Sequence, residues 1–237
     1  MGDLTLLYIT ANQMPKHWMD FQIQTLLDAT APLKCPIISV SRVPMDLGQN
    51  IPDDGPHGYW NIYRQMCRAA KLAKTKYVAQ CEDDTLYCNE HFREHRPADD
   101  AVAYNHSRWS LFAWDASVYC LRQRVSNCSM IGPRDLVVSA LEERLRMYPN
   151  GDSLPNKHIG EIGRWDIEKR LNLTPHKMDI WWSTTAIVQL NHTDGIDERQ
   201  KVQRKSHGQL KAIEIPHWGR SDVLVRKYLD DSSMQSG

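Results

Sequence analysis

Three consecutive acidic residues, Glu82, Asp83 and Asp84, end a short apolar segment that begins at Tyr77. Such a segment is typical of a buried strand in a parallel sheet, and open α/β sheets bind ligands at the carboxyl ends of their strands. Three adjacent carboxylates repel one another, so they need a cation or must give up charge. Hard oxygen ligands suit Mg²⁺ or Mn²⁺, and these ions commonly bridge a protein to phosphates. The triplet therefore predicts a metal-bound nucleotide or diphosphate, and the alternative is an acidic loop that faces water.

The segments before this strand indicate how the triplet is positioned. Apolar stretches at 4–10 and 36–41 predict two more buried strands, and amphipathic helices are predicted from Pro15 and over 59–73. The alternation of strand and helix predicts a right-handed, parallel, nucleotide-binding half. The stretch 42–58 is dense in Pro, Gly, Asp and Asn, which predicts a long loop of the kind that is often functional.

The pattern changes after Asp84. Short apolar stretches at 101–105, 110–114 and 117–121 are separated by polar turns, which predicts an antiparallel ribbon. Further elements are predicted as a helix at 134–147, a short helix at 166–171 and a strand at 180–190. A parallel half followed by a mixed half places the chain in the α/β class.

The composition gives little indication of a binding partner. The chain has 237 residues, with 29 Lys plus Arg and 29 Asp plus Glu, so its net charge gives no argument for nucleic-acid or membrane binding. It has neither the start of a signal peptide nor an apolar stretch long enough to cross a membrane, so we expect a cytosolic protein without a membrane partner. The six cysteines form no C-x-x-C pair, and a zinc site at Cys81, Cys88 and His91 is an alternative with poor ligand spacing.

The acidic triplet also carries a family resemblance. The segment 82–87, with 90–92 after it, is similar to the D-x-D motif of the GT-A glycosyltransferase superfamily, in particular its small family-2-like bacterial and phage-type members. A helix that opens with tyrosine and asparagine residues at 59–63 precedes it, as in the superfamily. The stretch 48–51 lies where relatives have a loop near the nucleotide. The resemblance extends from the first strand to about His217.

The resemblance implies a GT-A-like α/β fold, in which a Rossmann-like parallel half is fused to a mixed or antiparallel acceptor half. We therefore expect one GT-A-like domain over 1–237. Its parts are predicted to be a nucleotide-sugar-binding half at 1–98, an acceptor half at 99–220 and a C-terminal tail at 221–237.

The resemblance also implies a divalent ion, Mn²⁺ or Mg²⁺, as cofactor. Asp84 would bind the ion most directly and Glu82 would be a further ligand, while Glu82 and Asp83 would also hold the ribose, the sugar or a metal-bound water. In the superfamily, a histidine after a late strand completes the metal shell. His192 matches that position, and His217 is the alternative.

A second landmark of the superfamily is an acidic residue at the head of a helix in the acceptor half. Residues 160–171 resemble that element, with Asp166 in the place of the catalytic carboxylate. Trp165 occupies the first position of the usual Glu-Asp pair, so Glu161 and Glu168 are alternatives. Such a carboxylate would remove the proton of the acceptor hydroxyl if the reaction inverts the anomeric centre.

Nucleotide contacts are expected at the strand ends and in the loops that follow them. The candidates are Thr10, Ala11, Asn12, Asn50 and Arg64, together with Glu82 and Asp83. Arg64 and Lys76 are the candidates for phosphate contact, and the alternative for each is a solvated basic side chain.

Together these features predict a metal-dependent glycosyltransferase that moves a sugar from a nucleotide sugar, with a UDP-sugar favoured, to a hydroxyl acceptor. A hydroxymethylated base in DNA is one candidate acceptor, because a basic stretch at 199–211 could follow a phosphate backbone. That acceptor fits the cytosol of a bacterium or of a phage-infected host.

A nucleotidyltransferase is the alternative among enzymes, although the stretch 10–15 lacks a glycine-rich loop. A non-enzymatic carbohydrate- or nucleic-acid-binding module is the third reading.

Overall fold

The computed structural model describes residues 2–149, 151, 160–192 and 210–229. The strands are β1 (Leu4–Ile9), β2 (Ile37–Ser41), β3 (Gln49–Pro52), β4 (Tyr77–Glu82), β5 (Thr85–Leu86), β6 (Ala101–Asn105), β7 (Arg108–Phe112), β8 (Asp115–Leu121), β9 (Met130–Pro133), β10 (Lys177–Trp181), β11 (Ile187–Asn191), β12 (Lys211–Ala212), β13 (Glu214–Ile215) and β14 (Gly219–Arg220). The helices are α1 (Lys16–Thr30), α2 (Tyr59–Leu72), α3 (Asn89–Arg93), α4 (Arg134–Met147), α5 (Trp165–Arg170) and α6 (Ser221–Leu229). Within these ranges, no helix is long and apolar enough to cross a membrane.

A sheet of seven strands, in the order β10-β6-β9-β4-β1-β2-β3, forms the larger part of the fold. β1 pairs in parallel with β2 and β4, β2 with β3, and β6 with β10, while β9 runs antiparallel to β4 and β6. The carboxyl ends of all these strands except β9 therefore lie at one edge of the sheet. The predicted α/β fold class, with a parallel part joined to a mixed part, is confirmed.

Helices cover both faces of this sheet and bury its central strands. All six residues of β1 are buried. Tyr63 and Met66 of α2 pack with Leu141 of α4 on one face, and Leu26 of α1 packs in the cluster that contains Phe92 of α3 on the other. Parallel strands that are buried on both faces read as continuous apolar stretches, which is why the sequence predicts these strands well.

A second sheet of five strands, in the order β12-β8-β7-β11-β5, adjoins the acidic triplet through β5. β7 and β8 form the predicted antiparallel hairpin, and β11 lies parallel to β7 and antiparallel to β5. α6 packs on this sheet and buries Leu224 and Val225. The stretch 221–237, predicted as a tail, thus begins with a packed helix, and residues 230–237 lie outside the described ranges.

Two predicted elements of the second half differ from the structure. Residues 101–105 do not belong to the antiparallel ribbon, because they form β6, an inner strand of the large sheet whose five residues are all buried. The predicted strand at 180–190 is in fact two strands, β10 and β11, which belong to different sheets. Ser183 and Thr184 separate them, and their polar side chains bond to the Thr185 carbonyl and to Glu94.

Candidate active site

A cleft with a volume of about 230 Å³ lies at the carboxyl ends of β1 and β4. It is lined by Ile9, Thr10, Ala11, Tyr59, Ile62, Gln65, Glu82, Asp83, Asp84, Gln189, Asn191 and His192. Ile9 pairs in register with Glu82, so the residues that follow these two strands meet. The structure therefore brings the acidic triplet together with Thr10, Ala11 and His192, which were also predicted for the site.

Two side chains of α1 hold the backbone of the acidic triplet. Trp18 Nε1 donates to the carbonyl of Asp83 at 2.9 Å, and Gln22 Nε2 donates to the carbonyls of Glu82 at 3.3 Å and Thr85 at 2.8 Å. Both side chains are fully buried, and they lie one helical turn apart on the face of α1 that packs on the sheet. The triplet is therefore fixed in the fold and is not a solvated acidic loop.

Asp83 and Asp84 are oriented by different donors. Thr10 Oγ1 donates to Asp83 Oδ2 at 2.5 Å. Thr85 Oγ1 donates to Asp84 Oδ1 at 2.7 Å, and Gln189 Nε2 donates to Asp84 Oδ2 at 3.1 Å. Because a carboxylate has about four lone-pair sites, these bonds orient both groups and leave acceptor capacity for a ligand in the cleft.

Burial and mutual repulsion raise the pKa values of two of the acids. The pKa of Glu82 is raised to about 8, first by burial and then by the charges of Asp84 and Asp83, while the charge of Arg108 acts in the opposite direction. The pKa of Asp83 is raised to about 7 by burial, against the hydrogen bond from Thr10. Near neutral pH the triplet therefore retains protons that a divalent cation would displace.

The donor set of the cleft fits one kind of metal site. No three His, Cys, Asp or Glu side chains among the described residues are arranged to ligate a single ion, so the zinc alternative at Cys81, Cys88 and His91 receives no support. A Mg²⁺ or Mn²⁺ ion that bridges a diphosphate needs fewer protein ligands, because it takes one or two carboxylates and fills the rest with phosphate oxygens and water. Glu82 and Asp84 supply that number of carboxylates in the cleft.

We expect the affinity of the protein for Mn²⁺ to rise as the pH increases through the raised pKa values, about 7 for Asp83 and about 8 for Glu82. Protons compete with the cation for these oxygens, so the affinity should increase up to about tenfold per pH unit for each proton displaced. Calorimetric titration in two buffers of different ionisation enthalpy would measure the protons released. An affinity that is flat between about pH 6 and pH 9 would contradict this electrostatic account.

A second cavity, of about 390 Å³, continues from the cleft towards the loops after β1 and β2. The two cavities share Ala11, Tyr59, Ile62 and Gln65, and the second is also lined by Gln13, Arg42, His57, Gly58 and Asn61. Tyr59 lies at the boundary with 54% of its surface exposed. The buried Asp53 accepts hydrogen bonds from Asn61 Nδ2 at 2.7 Å and Gln65 Nε2 at 2.8 Å, so it orients two lining residues.

Asn12 and Asn50, predicted as nucleotide contacts, hold neighbouring backbone and side chains. Asn12 has a positive φ of 54°, and its Oδ1 accepts hydrogen bonds from the backbone N–H groups of Arg42 and Val43. Asn50 Nδ2 donates to the hydroxyl groups of Ser39 and Ser41. Both residues thus shape the loops at the strand ends, and neither lines either cavity.

The two basic residues predicted for phosphate contact lie elsewhere. Arg64 donates to the carbonyl of Pro149 and lines neither cavity, although Ile62 and Gln65 of the same helix line both. Lys76 precedes β4 and forms an ion pair with Asp99 at 2.7 Å, so it lies at the opposite edge of the sheet. Their predicted roles receive no support from this placement.

The structure separates the two histidines that were predicted to complete the metal shell. His192 lines the cleft directly after β11. His217 is exposed, has a positive φ of 72°, and packs edge-on against Trp218. Trp218 Nε1 donates to the carbonyl of Ala186, which precedes β11, so His217 lies towards the far end of that strand.

The two predicted catalytic carboxylates also lie outside the cleft. Asp166 is exposed and forms an ion pair with Arg164 at 3.2 Å. Glu168 is fully buried, where it accepts hydrogen bonds from Arg144 Nη2 at 2.6 Å, from the backbone N–H of Gly163 and from His176. These donors overcome the effect of burial and lower the pKa of Glu168 to about 2. Because donors from the protein already occupy its carboxylate oxygens, Glu168 has a structural role in this fold.

Several residues that shape the site were not found by sequence reasoning. They are Trp18, Gln22, Asp53, Arg108 and Gln189. The available signal was a polar residue inside an apolar stretch, such as Gln189 between Val188 and Leu190. An inner strand places such a residue in a buried environment, where it must find a partner.

Comparison with solved structures returns proteins that are similar to this chain in fold. A glycosyltransferase involved in the glycosylation of the major capsid of PBCV-1 matches with a TM-score of 0.47 and 6% identity over 85% of this chain and 97% of that chain. The glycosyltransferase GlyE of Streptococcus pneumoniae TIGR4 matches with a TM-score of 0.47 and 11% identity over 76% of this chain and 45% of that chain. The catalytic domain of Drosophila beta1,4galactosyltransferase 7, in complex with xylobiose, matches with a TM-score of 0.42 and 9% identity over 98% of this chain and 82% of that chain. No family model and no curated protein matches the sequence.

Proposed function

We propose that this protein is a metal-dependent glycosyltransferase that moves a sugar from a nucleotide sugar to a hydroxyl acceptor. The observation that supports it is the partly buried acidic triplet at the carboxyl end of β4, which lines a cleft that continues into a second cavity. Together the two cavities have the size and the position in an α/β sheet that suit a nucleotide-linked ligand.

The residues of the cleft have distinct parts in this proposal. Asp84 and Glu82 would hold the divalent ion, and His192 lines the same cleft. The ion, when bound, supplies positive charge that stabilises the diphosphate as it leaves. Thr10 keeps Asp83 in place through its 2.5 Å hydrogen bond, and Tyr59 offers an aromatic face at the boundary where the nucleoside and diphosphate parts of a donor would meet.

The test is a panel of nucleotide sugars, with UDP-sugars first, incubated with the protein and Mn²⁺ while released nucleoside diphosphate is measured. The proposal expects release from one class of donor and loss of that release with EDTA. Release from no donor, combined with binding of a free nucleoside triphosphate in preference to every nucleotide sugar, would instead favour a nucleotidyltransferase.

The acceptor is a hydroxyl compound, and a hydroxymethylated base in DNA is the candidate that we propose to test first. Arg204 and Lys205 belong to the basic stretch that could follow a phosphate backbone, and both lie outside the described residues. Salt-sensitive binding of DNA that weakens when both are neutralised supports this acceptor, since contacts to phosphates release counterions. An absence of DNA binding at low salt removes it.

Glu161 is the carboxylate that we propose as general base, in preference to Asp166. Like Asp166, it lines neither cavity and pairs with Arg164, at 3.5 Å, but it is mostly buried. Its neighbour Ile162 accepts a hydrogen bond from Tyr104 on the α2 face of the sheet. Burial and then the charge of Glu161 raise the pKa of Tyr63, which packs in the core on the same face of the sheet. Asp166 is exposed.

We expect Glu161→Gln to lower the rate of sugar transfer by about 10²-fold or more, because general-base catalysis contributes about 10²–10⁴. Asp166→Asn should change that rate less than about threefold, since it removes an exposed carboxylate. The rates are compared at saturating donor and acceptor. A larger loss in the Asp166 variant than in the Glu161 variant would reverse this assignment.

A further inference from the structure

Arg108 is a fully buried arginine behind the wall of the cleft. It opens β7 with 1% of its surface exposed. Its Nη1 donates to Gln189 Oε1 at 2.6 Å, and its Nη2 donates to the carbonyl of Arg124 at 3.1 Å. Within the described residues, no carboxylate is paired directly with this guanidinium. Burying an arginine on neutral partners is costly, so its position calls for an explanation.

The hydrogen bond from Arg108 fixes the orientation of the Gln189 amide. A guanidinium has only donors, so the atom of Gln189 that faces it must be the oxygen. The amide nitrogen then has to face the opposite direction, and it donates to Asp84 Oδ2 at 3.1 Å. The orientation of this side chain therefore follows from chemistry, and Arg108, Gln189 and Asp84 form a directed chain of hydrogen bonds.

The strand pairing keeps this chain of residues in place. β11 lies between β7 and β5, and Gln189 stands opposite Ser110 on one side and Thr85 on the other. The backbone N–H of Leu190 donates to the carbonyl of Asp84 at 2.7 Å, so the backbone and the side chain of Asp84 are both tied to β11. Thr85 holds the other carboxylate oxygen. The Asp84 carboxylate is thus oriented by donors on both of its oxygens.

We propose that Arg108, acting through Gln189, is a positioning residue that holds Asp84 in the orientation needed to bind the divalent ion. This inference rests on the proposed function, because it takes Asp84 as a metal ligand. The positive charge of Arg108 polarises the Gln189 amide, which strengthens the bond that the amide donates to Asp84. Partners of this kind behind a metal ligand typically change metal affinity by about 10–100-fold when they are removed.

The test measures Mn²⁺ affinity in the presence of UDP, from the electron paramagnetic resonance signal of free Mn²⁺. Gln189→Leu is expected to weaken Mn²⁺ binding by about 10-fold or more. Val188→Ala is the matched control, because Val188 is buried beside Gln189 on β11, packs in the core of the second sheet and leaves the chain of hydrogen bonds intact. Its Mn²⁺ affinity should stay within about twofold of the wild type while its stability falls.

A double-mutant cycle tests whether Arg108 acts through Gln189. Arg108→Lys should weaken Mn²⁺ binding in the wild-type background, because an ammonium group does not reproduce the two-pronged contact with Gln189 and the Arg124 carbonyl. In the Gln189→Leu background the same change should have less than about a twofold effect, since the path to Asp84 is already removed. Equal effects in both backgrounds would overturn the proposed path.

Asp84→Asn separates the failure of this inference from the failure of the proposed function. Loss of Mn²⁺ binding in Asp84→Asn, together with wild-type affinity in Gln189→Leu, overturns the positioning role and leaves the metal site intact. Wild-type Mn²⁺ affinity in Asp84→Asn overturns the metal site itself, and the positioning role with it.

Discussion

Asp84→Asn is expected to lower the rate of metal-dependent donor cleavage by at least about 10²–10³-fold, the range seen when one electrostatic contact to a developing charge is lost. Asp84 lies in the cleft with both of its carboxylate oxygens held by donors, Thr85 on one and Gln189 on the other. An amide at this position keeps the shape of the side chain but supplies only one oxygen and no negative charge. The divalent ion would then lose its most direct protein ligand.

The measurement is nucleoside diphosphate release at saturating Mn²⁺, with the melting temperature of each variant recorded beside it. Asp20→Asn is the control, because Asp20 is exposed on α1 and pairs with Lys16 on the same helix. The Asp84 variant should keep a melting temperature within about 5 °C of the wild type, since a change of 1 kcal/mol moves it by about 2–4 °C in a chain of this size. Full activity in Asp84→Asn would contradict the account.

Glu168→Ala is expected to lower the free energy of unfolding by about 3–5 kcal/mol, the usual result of breaking a buried ion pair from one side. Both Glu168 and Arg144 have fully buried side chains, and the carboxylate also accepts hydrogen bonds from Gly163 and His176. Removing it leaves the Arg144 guanidinium charged and without its partner in the core between α4 and α5. Urea unfolding measures the loss.

A paired variant distinguishes a structural Glu168 from a catalytic one. Glu168→Leu combined with Arg144→Met removes both charges and should recover much of the lost stability, because well-packed apolar residues often replace a buried ion pair without loss. If Glu168 were catalytic, the double variant would lose sugar transfer even though its stability is recovered. That result would restore the role predicted from the sequence.

The same ion pair gives the protein a defined acid sensitivity. The pKa of Glu168 is lowered from 4.5 to about 2, chiefly by its hydrogen bonds from His176 and Arg144 against the effect of burial. A lowered pKa means that the stabilisation is fully present above about pH 4.5 and is lost as the pH falls towards 2. Glu168→Leu with Arg144→Met should therefore show a weaker dependence of stability on pH in that range.

The parallel half of the fold could be predicted from the sequence because its signals are local. β1 and β4 are continuous apolar stretches, and the acids follow β4 directly. In the second half, the sheet to which a strand belongs depends on partners far along the chain. β6 pairs with β9 and β10, and β11 with β5 and β7, so neither residues 101–105 nor 180–190 could be assigned from alternation alone.

The candidate site also has a part that could be predicted from the sequence and a part that could not. The acidic triplet, Thr10 and His192 follow strand ends, and the rule that ligands bind at carboxyl ends is enough to group them. The contacts of Gln189 with Asp84 and Arg108 exist only because β5, β11 and β7 are neighbours. Glu168 illustrates a further limit of prediction from sequence. It lies only two positions after Asp166 in α5, yet its side chain is fully buried and that of Asp166 is exposed.

The central claim is that the acidic triplet binds a nucleoside diphosphate through a divalent ion, and calorimetric titration of UDP tests it most directly. The account predicts that UDP binds the wild-type protein with Mn²⁺ present, that binding weakens by at least about tenfold with EDTA, and that Asp84→Asn removes the effect of Mn²⁺. Binding of UDP with the same affinity in the presence and absence of Mn²⁺ would contradict it.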